Sequence, residues 1–428
     1  MKCLHTASVL LLGVLVSLSA EGSNQKVRLH TTELNPLGTS ANFGNAVAMD
    51  RNTVVVGAMA TVVDGRPSGA AYVFVKPPTG WTNVTQTAML TASDNDAYHL
   101  GAAVAISGDT IVVGAPWTMV NGVLQEGAVY VYVKPAGGWT NMTETAKLTG
   151  FHVDSEGYDW IGSTVSIDGD TIVAGVPNVT QDGNSFANGE AFVYVRPPSG
   201  WTSATETAVL YSPPDGFPNY GLGFGASVGI SRGTIVVGAT GCCSNGESMV
   251  GSAYVFVEPA GGWATTDNYN AELTGTEVGP NDFFGYAVAI EGNTIVVGSP
   301  QTNSYQVGAA YIYVEPTGGW TDMTQTAELY PLPAVAGNFG ESLAVRGKVI
   351  LIGAPNTSLQ YGQQGKAYVF VEPKSGWRTT YKYNASLTLS GAYNFGESIS
   401  ISGGTAVIGD GGTSNGGPGE AIVYWVSK

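Results

Sequence analysis

Apolar residues along this chain fall into short runs of four to six, broken by Gly, Asn, Asp, Pro and Ser. Runs such as Thr110-Ile111-Val112-Val113-Gly114 and Ala128-Val129-Tyr130-Val131-Tyr132-Val133 are rich in β-branched and aromatic residues, which suit strands rather than helices. The runs are nearly continuous rather than alternating, which predicts strands buried on both faces. One run does alternate. Ala103 and Ala105 fall on one side, Val104 and Ile106 on the other, so this strand has two distinct faces.

The runs repeat as a unit. A bulky apolar residue followed by Gly recurs at Phe43-Gly44, Leu100-Gly101, Ile161-Gly162, Phe224-Gly225, Phe284-Gly285, Phe339-Gly340 and Phe395-Gly396, every 55–63 residues. Each copy reads as four strands: one after the Gly, one after a tight turn, one after a longer variable loop, and one after a Pro-x-x-Gly-Trp-like turn. A repeated unit with two sticky faces stacks on its neighbours, and small residues on the first strand fit the crowded axis of a ring. The fourth-strand leucine appears as Leu90, Leu148, Leu210, Leu273, Leu329 and Leu387. The seventh is at the other end of the chain, in Thr31-Thr32-Glu33-Leu34, whereas the last copy stops after its third run, Ile422 to Val426. The N-terminal strand is therefore expected to complete the last unit and close the ring, which removes open sheet edges. The tryptophans Trp81, Trp139, Trp201, Trp263, Trp320 and Trp377 recur at the third turn of six copies and read as structural clamps.

These pairs, together with Gly114-Ala115-Pro116 and Gly353-Ala354-Pro355, resemble FG-GAP repeats, which build the seven-bladed β-propeller head of integrin α chains and of many secreted proteins. The resemblance runs over essentially the whole chain. It implies an all-β fold, a seven-bladed β-propeller of four-stranded antiparallel blades spanning 26–428 as a single domain, and a platform for adhesion or ligand binding. The family's calcium repeats place an Asp-rich loop between the first two strands. Here that connection has shrunk to Asp50-Arg51-Asn52, Ser107-Gly108-Asp109, Asp168-Gly169-Asp170 and their counterparts, turn sequences too short to supply the six to eight oxygens calcium takes. No calcium and no other cofactor is expected.

Composition sharpens the picture. The first residues read as an export signal over 1–20, with Lys2 ahead of an apolar stretch from Val9 to Leu18 and small residues at Ser19 and Ala20. That stretch is short for a membrane span. A secreted or extracellular location is expected, periplasmic in a bacterium, with no membrane insertion. The 428 residues carry 60 glycines and a formal net charge of −16, and a field of that sign repels phosphate backbones, so no nucleic-acid partner is expected. A monomer is expected. Cys3 leaves with the signal, which leaves the neighbours Cys242 and Cys243. Their Cα atoms are about 3.8 Å apart, below the usual disulfide range of about 4.4–6.8 Å. A strained vicinal disulfide and a pair of free thiols stay open as alternatives.

Recognition is expected in the variable loops of the early copies, carried on a rigid scaffold. Before the second copy come Asp94, Asp96, Tyr98 and His99. Trp117 and Met119 follow its second strand. His152, Asp154, Glu156, Tyr158, Asp159 and Trp160 precede the third copy, and Asp215, Phe217 and Tyr220 precede the fourth. Aromatic faces beside carboxylates suit an extracellular glycan or protein ligand. Two separated histidines, His99 and His152, fall short of a metal site. Glu341 and Glu397 each follow the repeat's Gly and are expected at the channel mouth, where paired acids support acid–base work on glycans. Asn83, Asn141, Asn178, Asn356 and Asn384 head N-x-S/T glycosylation sequons. No hydrolase, metalloprotease or nucleotide-binding fingerprint occurs, so no enzymatic activity is expected. The reading is a secreted ligand-binding or adhesion propeller, with a glycan hydrolase and a structural envelope or matrix module as the alternatives.

Overall fold

The computed structural model describes residues 28–36, 41–82, 84–94, 96–151, 158–179, 188–213, 223–241, 250–302, 307–332, 337–359, 362–412 and 419–427. Among them it forms seven antiparallel blades around an axis and no α-helix. Blade 2 shows the plan: Ala103–Ser107 lies innermost, followed outward by Thr110–Ala115, Ala128–Val133 and Ala146–Leu148. The innermost strands of consecutive blades touch all the way round, and that of blade 7 (Ser398–Ser402) meets that of blade 1 (Phe43–Asp50).

Blade 7 is assembled from both ends of the sequence. Its sheet runs Ser398–Ser402, Thr405–Asp410, Glu420–Ser427 and then Arg28–Leu34. The last two strands pair antiparallel from Arg28↔Ser427 to Leu34↔Ala421. The ring closes with the strand exchange that the leucine column predicts.

The core is divided rather than central. Seven hydrophobic clusters occur among the described residues, one between each pair of neighbouring blades. This is why the strands read as continuous apolar runs: all six residues of Thr110–Ala115 are buried. The alternation in Ala103–Ser107 has the same origin. Val104 and Ile106 pack toward blade 1, and Ala105 packs toward blade 3. The six tryptophans of the third turn are each buried against the preceding blade. Trp81 shows how they clamp: its carbonyl accepts a 2.6 Å hydrogen bond from Thr32 Oγ1 in blade 7.

The two glycine columns have one explanation. A Cβ on Gly114, near the end of the second strand of blade 2, would overlap the carbonyl oxygen of Gly162 in blade 3. Gly162 itself has φ +85°, a left-handed conformation that side chains disfavour. The same overlap recurs at Gly57, Gly175, Gly238, Gly298, Gly353 and, across the closure, Gly409 against Gly44.

Among the described residues the outer edges of six blades, all but blade 6, are covered too, by a device the repeat pattern does not announce. The segment after each third-turn tryptophan lies parallel to the fourth strand of the preceding blade. Examples are Leu90↔Met142, Leu273↔Met323, Leu148↔Ala204 and Leu329↔Thr380. Edges buried this way cannot template pairing with another chain.

Replacing Gly298 with Ala should cost about 3 kcal/mol in chemical denaturation, since the methyl group is forced against the backbone of the next blade. Gly318→Ala, where nothing lies within 4 Å of the added carbon, should be neutral within about 0.5 kcal/mol.

Candidate functional site

One loop organises the face of blades 2 and 3. It joins the second and third strands of blade 2 and includes a narrow hairpin in which Val120 and Val123 pair. On one side Met119 N–H donates to Asp96 O (3.1 Å) in the loop leading into blade 2. On the other, Tyr158, Trp160 and Ile161 N–H donate to Leu124, Gln125 and Glu126 O at 3.1, 3.2 and 2.8 Å. The loops that sequence reasoning singled out separately are thus stitched into one ridge.

The ridge carries aromatic surface. Tyr98, Trp117 and Tyr158 remain 41%, 42% and 47% exposed, and Leu124 stands beside them at 54%. His99 stacks on Trp117 with centroids 4.0 Å apart and planes at 22°, so Trp117 offers one free face. Burial holds the His99 imidazole below its ordinary pKa, which keeps the ring neutral at pH 7. Trp160 is held by a 3.2 Å bond from its indole Nε1 to Gln125 Oε1. Asp96 is exposed.

Backbone conformation presents two of these rings. The residue before the repeat's apolar-Gly pair is left-handed in several blades. Asn42 and Asn338, both at φ +56°, and Gly223 at φ +58° fill it with residues that tolerate that region. Blades 2, 3 and 5 place His99 (φ +58°), Trp160 (φ +62°) and Phe283 (φ +55°) there instead, and around the ridge Tyr158 and Gln125 are left-handed as well. Bulky side chains held in a sparsely populated conformation are a mark of functional loops.

Other expected residues have structural roles. Asp94 accepts hydrogen bonds from Tyr130 Oη and Ala97 N and pairs with Lys147 at 2.7 Å, which places it under the ridge rather than on it. Asp159 is buried. Asp154, Glu156 and Tyr220 lie outside the described residues, as do His152, Asp215 and Phe217, the cysteines Cys242 and Cys243, and Asn83. Among the sequons, Asn141 and Asn384 are exposed on the outer rim, where each Oδ1 accepts a backbone N–H at 2.8 Å. Asn178 Nδ2 donates to Tyr158 O at 2.6 Å, and Asn356 is half-buried. The expectations missed Leu124 and Gln125, because an isolated Leu and Gln in a loop carry no signal until the loop is seen to be shared.

A second cluster lies at the channel mouth. Glu341 and Glu397 are joined by Tyr286, the residue after Gly285 in the same column. Tyr286 is 45% exposed and lies within the fields of both carboxylates. Burial and the fields of Glu341 and Glu397 push its phenol up to about 12. Burial also raises Glu341. Glu397 is pushed up to about 7, chiefly by burial, with Glu341 and Asp410 adding to the rise, although its Oε2 accepts a 3.2 Å hydrogen bond from Gly411 N–H. Asp410 is an anchor, accepting backbone N–H bonds from Tyr393, Asn394 and Gly412 at 2.9–3.1 Å.

The seven inner hairpins are two-residue turns, tighter than the three-residue turns read from sequence, because the flanking ladders extend to Asp50↔Thr53 and Ser107↔Thr110. The residues beside them reach sideways. Asp50 and Asp168 accept the N–H of Gly108 and Arg232 in the following blades at 2.9 and 2.6 Å. Ser107, Ser231 and Ser402 do the same for Gly169, Gly292 and Arg51. Asp109 and Asp170 pair with Lys134 and Arg196. Among the described residues no group of three or more His, Cys, Asp or Glu is placed to hold a metal ion.

The FG-GAP repeat family matches the chain at 38–74, 84–132, 142–194 and 268–313, that is, over blades 1, 2, 3 and 5. The chain is an FG-GAP-repeat propeller. Blades 4, 6 and 7 repeat the same glycine contacts and strand order, so the repeat extends beyond the matched segments to all seven. No curated protein matches the chain. FG-GAP repeats are typical of extracellular domains, and the fold points to a ligand-binding or adhesion-type module. No helix among the described residues is long and apolar enough to cross a membrane.

Glu397 sets a pH dependence. Its folded-state pKa is raised, so the stability it contributes is fully present below the ordinary value of 4.5 and is lost as pH rises toward and through about 7. Glu397→Gln should therefore raise the melting temperature at pH 8 and leave it unchanged at pH 4. Melting curves across that range check it, and a constant difference at every pH would refute it.

Proposed function

We propose that this FG-GAP propeller is an exported ligand-binding protein and that its ligand, a glycan or an extended protein segment, lies across the ridge of blades 2 and 3. One observation carries this reading. The shared blade 2 loop is hydrogen-bonded to the loops on both sides and holds Tyr98, Trp117, Leu124 and Tyr158 exposed together. Large apolar side chains clustered on a polar surface mark interaction sites. A scaffold braced between neighbouring blades lowers the ordering cost of binding. The free face of Trp117 offers a stacking platform, and Asp96 and Gln125 supply polar groups at its margins.

Binding rather than catalysis is the better use of this geometry, because among the described carboxylates of the ridge Asp96 is exposed, Asp159 is buried and Asp94 is engaged by Tyr130 and Lys147. The leader of residues 1–20, with its apolar Val9 to Leu18, supports export. The scaffold needs no calcium in this reading, since the turn carboxylates Asp50, Asp109, Asp168 and Asp170 each hold a protein partner.

Trp117→Ala and Tyr158→Ala should each weaken capture of the ligand by about 1–3 kcal/mol without moving the melting temperature. The assay is a glycan array in parallel with a pull-down on extracellular-matrix proteins, and unchanged capture by both variants would sink the reading. Melting curves with and without EDTA should coincide, and a drop on chelation would show that a metal supports the scaffold.

A further inference from the structure

The six third turns of the propeller form an internal comparison. Over 77–87, 135–145, 197–207, 259–270 and 316–326, blades 1 to 5 have no Lys or Arg; their only charged residues are Glu144, Glu206, Asp267 and Asp322. Blade 6 inverts this. Its turn, Pro373-Lys374-Ser375-Gly376-Trp377-Arg378-Thr379-Thr380-Tyr381-Lys382-Tyr383-Asn384, has three cations, no acid and two tyrosines. The fold does not need the change, because Trp377 is buried like its sisters and Thr380 still pairs with Leu329 of blade 5.

Lys374, Arg378 and Lys382 are all exposed, whereas Lys134, Lys147, Arg196, Arg346 and Lys348 elsewhere form ion pairs. Tyr381 and Tyr383 remain 41% and 37% exposed. They are held from behind, Tyr381 by Tyr330 at 6.0 Å and Tyr383 by Tyr368 at 5.1 Å. Three cations and two braced rings therefore share the outer rim between blades 5 and 6, on a chain whose net charge is −16.

We propose that this rim is a second binding site, for a polyanionic polysaccharide carrying sulfate or carboxylate groups. Guanidinium and ammonium groups pair with such anions, and exposed tyrosine rings stack on the apolar faces of sugars. The patch occupies a single turn, far less than the roughly 800 Å² per partner of a standard protein interface. A repeating polymer suits so small a site because each repeat offers it the same groups. The site is remote in sequence from the ridge of blades 2 and 3 and independent of what that ridge takes.

The test uses the full chain with heparin and polygalacturonate as probes, dextran as the uncharged polymer, and single-stranded DNA as the other polyanion. Heparin and polygalacturonate should bind and dextran should not, with affinity falling roughly 20-fold between 50 and 200 mM salt for three ionic contacts. The triple variant Lys374→Glu, Arg378→Glu, Lys382→Glu should lose binding by at least ~10-fold, and Tyr381→Ala should weaken it while leaving the salt slope unchanged. A matched control, Lys76→Glu, Lys134→Glu, Arg196→Glu, makes the same change in net charge elsewhere and should retain binding. Circular dichroism melting confirms that each variant is folded. Equal loss in the control would overturn the proposal in favour of a net-charge effect. So would DNA binding as tightly as heparin, absence of polyanion binding at low salt, or a concentration-dependent dimer in sedimentation that the blade 6 triple variant abolishes.

Discussion

The ring rests on a contact between two backbones. Near the end of each second strand a glycine lies directly beneath a glycine carbonyl of the next blade, with no room for a β-carbon. That contact sets how closely blades approach at the axis, and everything outward is fitted to it. The apolar residue before the contacting glycine fills the wedge that opens behind it. Phe43 packs edge-on against Tyr72 and Phe74, and Phe284 and Phe339 repeat the arrangement in their own blades. Farther out the third-turn tryptophan closes the same interface. Glycine near the axis, phenylalanine at mid-radius and tryptophan at the rim form one tapered joint, and the side chains grow as the gap widens.

The closure between blades 7 and 1 uses an additional device. Ser398, Ser400 and Ser402 line the inner strand of blade 7. Their hydroxyls accept the N–H groups of Val47, Met49 and Arg51 at 2.7, 3.0 and 2.8 Å. Backbone donors that would otherwise face the channel are satisfied, and the joint between the first and last repeats gains three directional bonds. Ser166 and Asp168 do the same for Ile230 and Arg232 at the start of blade 4. Blades 1 and 4 are also the ones whose inner strands begin with a register shift, between Phe43 and Val47 and between Phe224 and Ser227.

Most of the scaffold was legible in the sequence because each of its physical demands recurs seven times. A glycine forced by a neighbouring carbonyl, or a leucine forced by a fourth strand, stands out as a column. The strand exchange was legible for the same reason, since Leu34 fills the gap that the last copy leaves. The ridge was legible only in part. Trp117, Tyr98 and Tyr158 stood out as aromatic residues, but Leu124 and Gln125 matter only through hydrogen bonds from loops about thirty residues away in sequence, which no local pattern encodes. At the channel mouth, attention to carboxylates found Glu341 and Glu397 and passed over Tyr286, whose place depends on ring geometry. The parallel cover over the outer edges was invisible because it is made by main-chain atoms, and almost any residue can serve.

The exchange that completes blade 7 also determines how the propeller bears load. Arg28 and Ser427 face each other at one end of an antiparallel pair. Tension applied between those two points pulls across the strands rather than along them, so the pairs separate one at a time like a zip. A pull along the strands would have to break all seven together. The circle is therefore stiff against forces spread over its faces and yields early to a force drawn between its two ends.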